Sequence, residues 1–500
     1  MKPTTMKSSA PTPRNATLKT CGGPLVQAHR GSRGEYQDNA AGGFRWCLQK
    51  GIRGFETDVR FTKDKRLVIM HDPNAGRTTD GQGVVEELTF DELRAFRLTC
   101  CSEPVPTLDE VLDCFKGRDD FFIEIEMKAT PDAPFYTPEV LEEYCRALEA
   151  AARAALPPGT YAFTCFNAAT LATMRRLAPD APLGYIMGAL TDAHLAEAVA
   201  LGCCSVAPTG HDTSKEMVDK AHAAGLTVCL WMCQNKADWD EYRAKGADRV
   251  TSDFPNLLLR AIEGRRKKIV ALDLDGTLCQ HRSAIPERNL AALRALCAAY
   301  KCVMVGAGNA PRIYRQMGEF PIDIVGNYGM QVAEAADGNF RIVKTLTSEI
   351  DRDFFRRETD ALRRKYGYTE YDGEPIEFHP SGMVTFALLG TTPPLERKIA
   401  FDPDRRKRRA MYADVCEIFK DYSVYIGGSS SFDISGKRFN KFDTTLAWAK
   451  ERGCGLDDIV FIGDDFADGG GDSHVRLGGM DHIAITDYAN FADAVGVLLA

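Results

Sequence analysis

The stretch GIRGFETDVRF (51–61) decides the fold of the first half of the chain. It is a glycine-led β-forming run with two acids, Glu56 and Asp58, spaced two apart, so a strand here puts both carboxylates on one face. Working outward, PLVQAHR (24–30), RLVIMHD (66–72), DFFIEIEMK (120–128), TYAFTCF (160–166), PLGYIMG (182–188), CCSVAP (203–208), LTVCLWM (226–232) and DRVTSDF (248–254) also read as strands. Helix-period segments such as FDELRAF and PEVLEEYCRALEAAARAAL lie between several of them. Repeated strand–helix units over roughly 240 residues predict a parallel sheet closed as a (β/α)8 barrel over 21–263.

Composition bounds the rest. A chain of 500 residues implies two to four domains, and 44% hydrophobic with 26% charged residues excludes disorder, collagen and coiled coil. The net charge of −8 gives no reason to expect a nucleic-acid partner. No apolar run approaches the ~18 residues of a membrane span. The sixteen cysteines include no Cys-x-x-Cys, which predicts reduced, structural thiols and a cytoplasmic location. Residues 1–20 carry Lys2, Lys7, Arg14 and Lys19 and no acid, and they lack the apolar stretch of a secretory signal. They read as a disordered tail. Homo-oligomerisation is left open.

Chemistry concentrates at predicted strand ends, which converge on one mouth in a parallel barrel. His29-Arg30, Glu56 and Asp58, His71-Asp72, and Glu124, Glu126 and Lys128 all fall there. Singly, each has a structural reading as a hydrogen-bonded histidine, a solvated edge or an ion pair. Together they predict a divalent ion held by oxygen ligands, with two histidines as acid and base.

Those motifs also resemble one family in order and spacing. HRG (29–31), DN (38–39), GFETDV, HD (71–72), RTTDGQGVVEELTFDEL (77–93), VPTLDEVL (105–112), IEMK (125–128), TCFN (164–167), LWMCQN (230–235) and VTSDFP (250–255) are similar to the glycerophosphodiester phosphodiesterases. The resemblance implies a barrel that releases glycerol 3-phosphate and an alcohol from a small-molecule diester. By position it implies His29 and His71 as the acid/base pair and Glu56, Asp58 and Glu126 as ligands for Mg2+ or Ca2+. Arg30 and Lys128 would bind phosphate, and Trp231 would pack on glycerol. Gln37-Asp38-Asn39 stands where the family has its usual Pro-Glu-Asn, and Glu124 is an additional acid that leaves the third ligand open.

EGRRKK (263–268) predicts a linker at 264–268, and KIVALDLDG (268–276) opens a second α/β unit over 269–500. FRRETDALRRKY, GMVTFALLG and DYSVYIGG mix helix and strand and predict an α+β cap at about 341–433. ALDLDGTLC (271–279) is an apolar strand ending in Asp273 and Asp275. Asp273 can attack phosphorus, and Asp275 can protonate the leaving group and later activate water. IVFIGDDFADGGGD (459–472) ends a second apolar strand in acids suited to Mg2+, and Lys441 can hold a phosphoryl group.

This half resembles haloacid dehalogenase-type phosphatases, and within them eukaryotic-type phosphomannomutases. VGAGNAPRIYRQMG, IVGNYGMQVAEAADG, IEFHPSGMVTFALLG, YIGGSSSFDI and GDDFADGGGDSHV carry the likeness. It implies a Rossmann-like core and a Mg2+ set of Asp273, Asp275, Asp464 and Asp468, with Asp472 the alternative at mutase spacing. The loop GAGN (306–309) lacks the expected Ser or Thr, leaving Asn309 as the nearest phosphate contact, and the mutase arginines are replaced by His379 and Thr391. A phosphomonoesterase acting on the diesterase product is therefore expected, with an unrelated sugar phosphate or a scaffold role as alternatives.

Overall fold

The computed structural model describes residues 18–281, 283–336, 339–403 and 405–499, so nearly all of the tail expected at 1–20 lies outside the described residues. The chain divides into two compact units, one built on residues up to Arg265 and one on Arg266–Val495.

The first unit carries β1 (Leu25–Ala28), β2 (Gly54–Phe61), β3 (Leu67–Ile69), β4 (Phe122–Met127), β5 (Tyr161–Cys165), β6 (Leu183–Ile186), β7 (Ser205–Ala207), β8 (Thr227–Leu230) and β9 (Arg249–Ser252). Eight of these are parallel and close on themselves, since β1 pairs with both β9 and β2. The ninth differs from expectation. β3 runs antiparallel to β2, with Ile69 beside Val59 and Leu67 beside Phe61. A parallel crossover needs a dozen or more residues, and only 62–66 separate β2 from β3, so the chain can only turn back as a hairpin. His71 thus follows a hairpin strand and not a barrel strand.

Outer helices start where the sequence supplies a capping side chain. Thr137, Asn167, Thr191, Ser214 and Asn235 each accept a hydrogen bond from a backbone N–H in the first turn of the following helix. One buried ion pair lies inside the barrel, separate from the metal-type carboxylates. Arg249 Nη2 donates to Glu124 Oε1 at 2.6 Å and Arg249 Nε to Gln27 Oε1 at 3.1 Å, with Arg249 fully buried. Glu124 is thereby committed to Arg249. Arg249→Leu would strand a buried carboxylate and should lower unfolding free energy by about 3–5 kcal/mol. Urea denaturation followed by circular dichroism measures this, and a well-packed Glu124→Leu/Arg249→Met pair should recover most of it.

The second unit has β10 (Ile269–Leu272), β11 (Lys301–Val305), β12 (Asp323–Gly326), β13 (Gln331–Ala336), β14 (Asn339–Thr345), β15 (Ile376–Phe378), β16 (Val384–Ala387), β17 (Tyr422–Tyr425), β18 (Ser431–Gly436), β19 (Ile459–Gly463) and β20 (Asp481–Ala484). Its main sheet has the order β14-β13-β12-β11-β10-β19-β20, parallel from β12 to β20. β15-β16-β18-β17 form a separate antiparallel sheet. β14 pairs with β13 in the main sheet, so the inserted module starts after Thr345 rather than at 341. The charged run at 264–268 is not all linker: Lys267 is buried and pairs with Asp481 at 2.5 Å.

Candidate active sites

In the first unit, the β2–β4 register sets Asp58 beside Glu126, and Glu56 lies two residues earlier on the same face. Oxygens of Glu56, Asp58 and Glu126 lie within 4.8 Å of one another, all three residues buried. Glu56 Oε2 accepts from Arg30 N at 2.9 Å, while its Oε1 is buried without a hydrogen-bond partner. Arg30 presents that N–H from a left-handed conformation, φ 51°. Asp58 Oδ2 accepts from Asn39 Nδ2 at 2.8 Å, and Lys128 Nζ lies 3.0 Å from Asp58 Oδ1 and also bonds Glu126. With all three carboxylates ionised, as ligands of a metal would be, they leave one negative charge against the two cations. A divalent ion would turn that into one positive charge, which suits a diester monoanion. The orphaned oxygen and the all-oxygen donor set fit such an ion.

Each histidine has its own carboxylate. His29 Nδ1 meets Asp253 Oδ1 at 2.6 Å, and its Nε2 lies 3.9 Å from Glu56 Oε2. Gln234 Nε2 donates to the other Asp253 oxygen at 2.9 Å. His71 Nδ1 meets Asp72 Oδ1 at 2.6 Å, and Asp72 is held by Arg77. With Nδ1 held by a carboxylate, Nε2 is the nitrogen that each ring turns away from that partner. Trp231 directly follows β8, donates Nε1–H to Ala207 O at 2.8 Å, and meets Phe166 edge-on at 6.1 Å. Phe166 directly follows β5 and is 51% exposed, an apolar lip that the sequence did not single out.

The cluster shifts its own protonation. Burial, with Asp58 and Glu126 adding repulsion, holds Glu56 well above the usual carboxylate range. Burial lifts Glu126 to about 7 despite Lys128. In Asp58 burial is outweighed by Lys128 and Arg30, which keep it low. Burial pushes the His71 imidazole down to about 4. Without metal, the raised groups lose stabilisation as pH rises through their folded values. In EDTA the melting temperature should therefore fall between pH 6 and pH 8. Added Mg2+ should restore it, with affinity rising up to about tenfold per pH unit below about 7 for each proton displaced. Calorimetry with and without Mg2+ checks both slopes.

In the second unit, Asp273 directly follows β10, and its oxygens cluster with Asp464 and Asp472 within 4.8 Å. Lys441 Nζ bridges Asp273 and Asp472, 2.7 Å from each. Asp472 Oδ2 also accepts from the backbone N–H of Asp464 and Asp465, at 3.1 and 3.0 Å. Burial, with repulsion from Asp472 added, lifts Asp273 to about 6 although Lys441 opposes it.

Two expectations change here. Asp468 lies outside the cluster, exposed and paired with Arg476 at 2.6 Å, because Asp472 and not Asp468 turns inward where the loop folds back. Asp275 is also outside the carboxylate group, with both oxygens taken, by Arg312 Nη2 at 2.9 Å and Gln316 Nε2 at 2.7 Å. Asn309 Oδ1 caps the helix Ala310–Gln316 by accepting from Arg312 N at 2.9 Å. Gly308 leaves room for Arg312: a Cβ there would sit 2.5 Å from Arg312 Nε. His379 Nε2 lies 3.0 Å from Thr385 Oγ1, which donates to Asp433.

Residues 29–257 match the family model described as the glycerophosphoryl diester phosphodiesterase family. The first unit groups with the glycerophosphoryl diester phosphodiesterases. A glycerophosphodiester phosphodiesterase of Caldanaerobacter subterraneus subsp. tengcongensis is 27% identical over 252 residues, 48% of this chain and 97% of that protein. One from Bacillus altitudinis is 27% identical over 247 residues, 48% of this chain and 98% of its own length. Among solved structures, an Oleispira antarctica phosphodiesterase in complex with the product sn-glycerol-3-phosphate is 25% identical, covering 48% of this chain and 97% of its own, at TM-score 0.44.

Of the residues predicted from the motifs of the first unit, His29, Arg30, Glu56, Asp58, Glu126 and Lys128 are joined by the contacts above, and His71 is near enough to feel the charges of Asp58, Lys128 and Arg30. Reading the sequence missed Asp253, Asp72 and Asn39 as partners of those groups. Asp253 and Asp72 lay inside the quoted motifs VTSDFP and HD. Nothing local ties Asp253 to a histidine 224 positions away. Among the described residues, no helix is long and apolar enough to cross a membrane.

Proposed function

We propose that the first unit is a divalent-metal-dependent glycerophosphodiester phosphodiesterase that releases glycerol 3-phosphate and an alcohol from a small-molecule diester. The observation that carries this reading is the pair of carboxylate-oriented imidazoles beside one buried three-carboxylate cluster with Arg30 and Lys128. One imidazole takes the proton of the attacking glycerol 2-hydroxyl and the other protonates the departing alkoxide at Nε2; water then opens the resulting cyclic phosphodiester, with the two imidazoles in exchanged roles, to give glycerol 3-phosphate. Glu56, Asp58 and Glu126 would hold Mg2+ or Ca2+, which neutralises phosphoryl charge. Arg30 and Lys128 serve the same charge from the protein side.

For the second unit we propose a Mg2+-dependent phosphomonoesterase of haloacid dehalogenase type, acting on glycerol 3-phosphate. Asp273 is the nucleophile, Lys441 orients it, and Asp273, Asp464 and Asp472 form the ion site. The support is a carboxylate at the tip of the central strand β10, clamped by a buried lysine beside two further acids. A weakly catalytic binding role is the second reading, favoured by the hold of Arg312 and Gln316 on both oxygens of Asp275, the residue expected to serve the leaving group. Phosphorus NMR of the full chain with Mg2+ and glycerophosphoglycerol separates the readings. Diester giving monoester and then inorganic phosphate supports both sites. Arrest at monoester removes the second, and an unchanged diester removes the first.

A further inference from the structure

His71 has an unusual mounting for an acid/base residue. It lies beyond the end of β3, a three-residue hairpin strand outside the closed barrel. The ladder to β2 ends one residue earlier, where Met70 N donates to Asp58 O at 3.1 Å. The next peptide group is gripped by a side chain. Arg60 Nε and Nη2 both donate to His71 O, at 3.0 and 2.7 Å. The same guanidinium is pinned at its third corner, where Nη1 donates to Glu86 Oε1 at 2.7 Å. Tyr136 OH donates to that Glu86 oxygen at 3.2 Å and accepts from Phe61 N at 3.2 Å, tying the assembly back to β2. Arg60, Glu86 and Tyr136 are all buried.

We infer that Arg60, braced by Glu86, is a positioning residue that holds the backbone of His71 so that its ring faces the carboxylate cluster. This rests on the diesterase reading above. Asp72 fixes which ring nitrogen is free, but Asp72 sits on the same hairpin and would move with it. Arg60 sits on β2, two residues after Asp58, and so references His71 to the strand that carries the cluster. A planar guanidinium can serve one carbonyl with two donors and a carboxylate with a third, which a lysine cannot.

The test compares wild type with Arg60→Lys and Glu86→Gln on glycerophosphoglycerol with Mg2+, reading kcat, KM, bound metal and melting temperature. Arg60→Lys should lower kcat by about 10- to 100-fold, the order of cost of a misplaced catalytic group, with KM within about twofold. Metal content and melting temperature should stay close to wild type, and Glu86→Gln should show a smaller loss in kcat alone. An unchanged kcat in Arg60→Lys overturns the inference. So does a loss of kcat that tracks lost metal or lost fold in both variants, since that is a structural role. Wild type that leaves the diester untouched overturns the diesterase reading itself, and the inference with it.

Discussion

Alanine at His29 or at His71 should each lower diester turnover by about 10²- to 10⁴-fold, the usual worth of one general acid or base. The loss should fall on kcat, because neither ring belongs to the three-carboxylate cluster and Arg30 and Lys128 remain to hold the phosphoryl group. Folding should survive both changes. His71 is partly exposed on the hairpin, and His29 leaves behind Asp253, still bonded by Gln234. The double variant should be little worse than the poorer single one, since the two imidazoles act on one transition state and such losses are not additive. Steady-state kinetics on glycerophosphoglycerol, with bound metal measured in parallel, decide the matter. Near-wild-type turnover in either single variant would remove the acid/base assignment, and loss of metal in both would move the histidines into the ion site.

Asp273→Asn should abolish release of inorganic phosphate, by at least about 10³-fold, while leaving diester cleavage untouched. A carboxamide cannot attack phosphorus, yet it occupies nearly the same space. Lys441 retains Asp472 as its ion-pair partner, so the buried cation is not stranded. Replacing a carboxylate that burial and Asp472 already disfavour should not destabilise this unit at neutral pH. Fed a glycerophosphodiester, the variant should accumulate glycerol 3-phosphate, whereas wild type should go on to phosphate. If wild type and variant stop at the same monoester, the second unit takes another substrate or none. The commitment of Asp275 to Arg312 makes this the sharper of the two tests.

Much of the first unit was legible because its information is local. Alternation along GFETDV and FIEIEMK put acids on one strand face, and helix-period segments such as PEVLEEYCRALEAAARAAL marked the connections between strands. RLVIMHD reads like a barrel strand because a three-residue hairpin strand has the same composition as a stave, and only the short gap at 62–66 separates the two. In the second unit Asp468 and Asp472 were equal by composition. Their fates differ because the loop turns Asp472 inward to Lys441 and leaves Asp468 with Arg476 at the surface.

By itself, then, the sequence determined what depends on neighbours along the chain: strand–helix alternation, which face of a strand bears acid, where helices are capped, and which ordered motifs resemble a diesterase. Only the tertiary structure decided which of those acids meet. The β2–β4 register brings Asp58 to Glu126, barrel closure brings Asp253 on the segment after β9 to His29 after β1, and Arg249 withdraws Glu124 from the cluster. Such contacts join residues up to 224 positions apart, and their geometry is fixed by register and closure of the sheet, which no local spacing encodes.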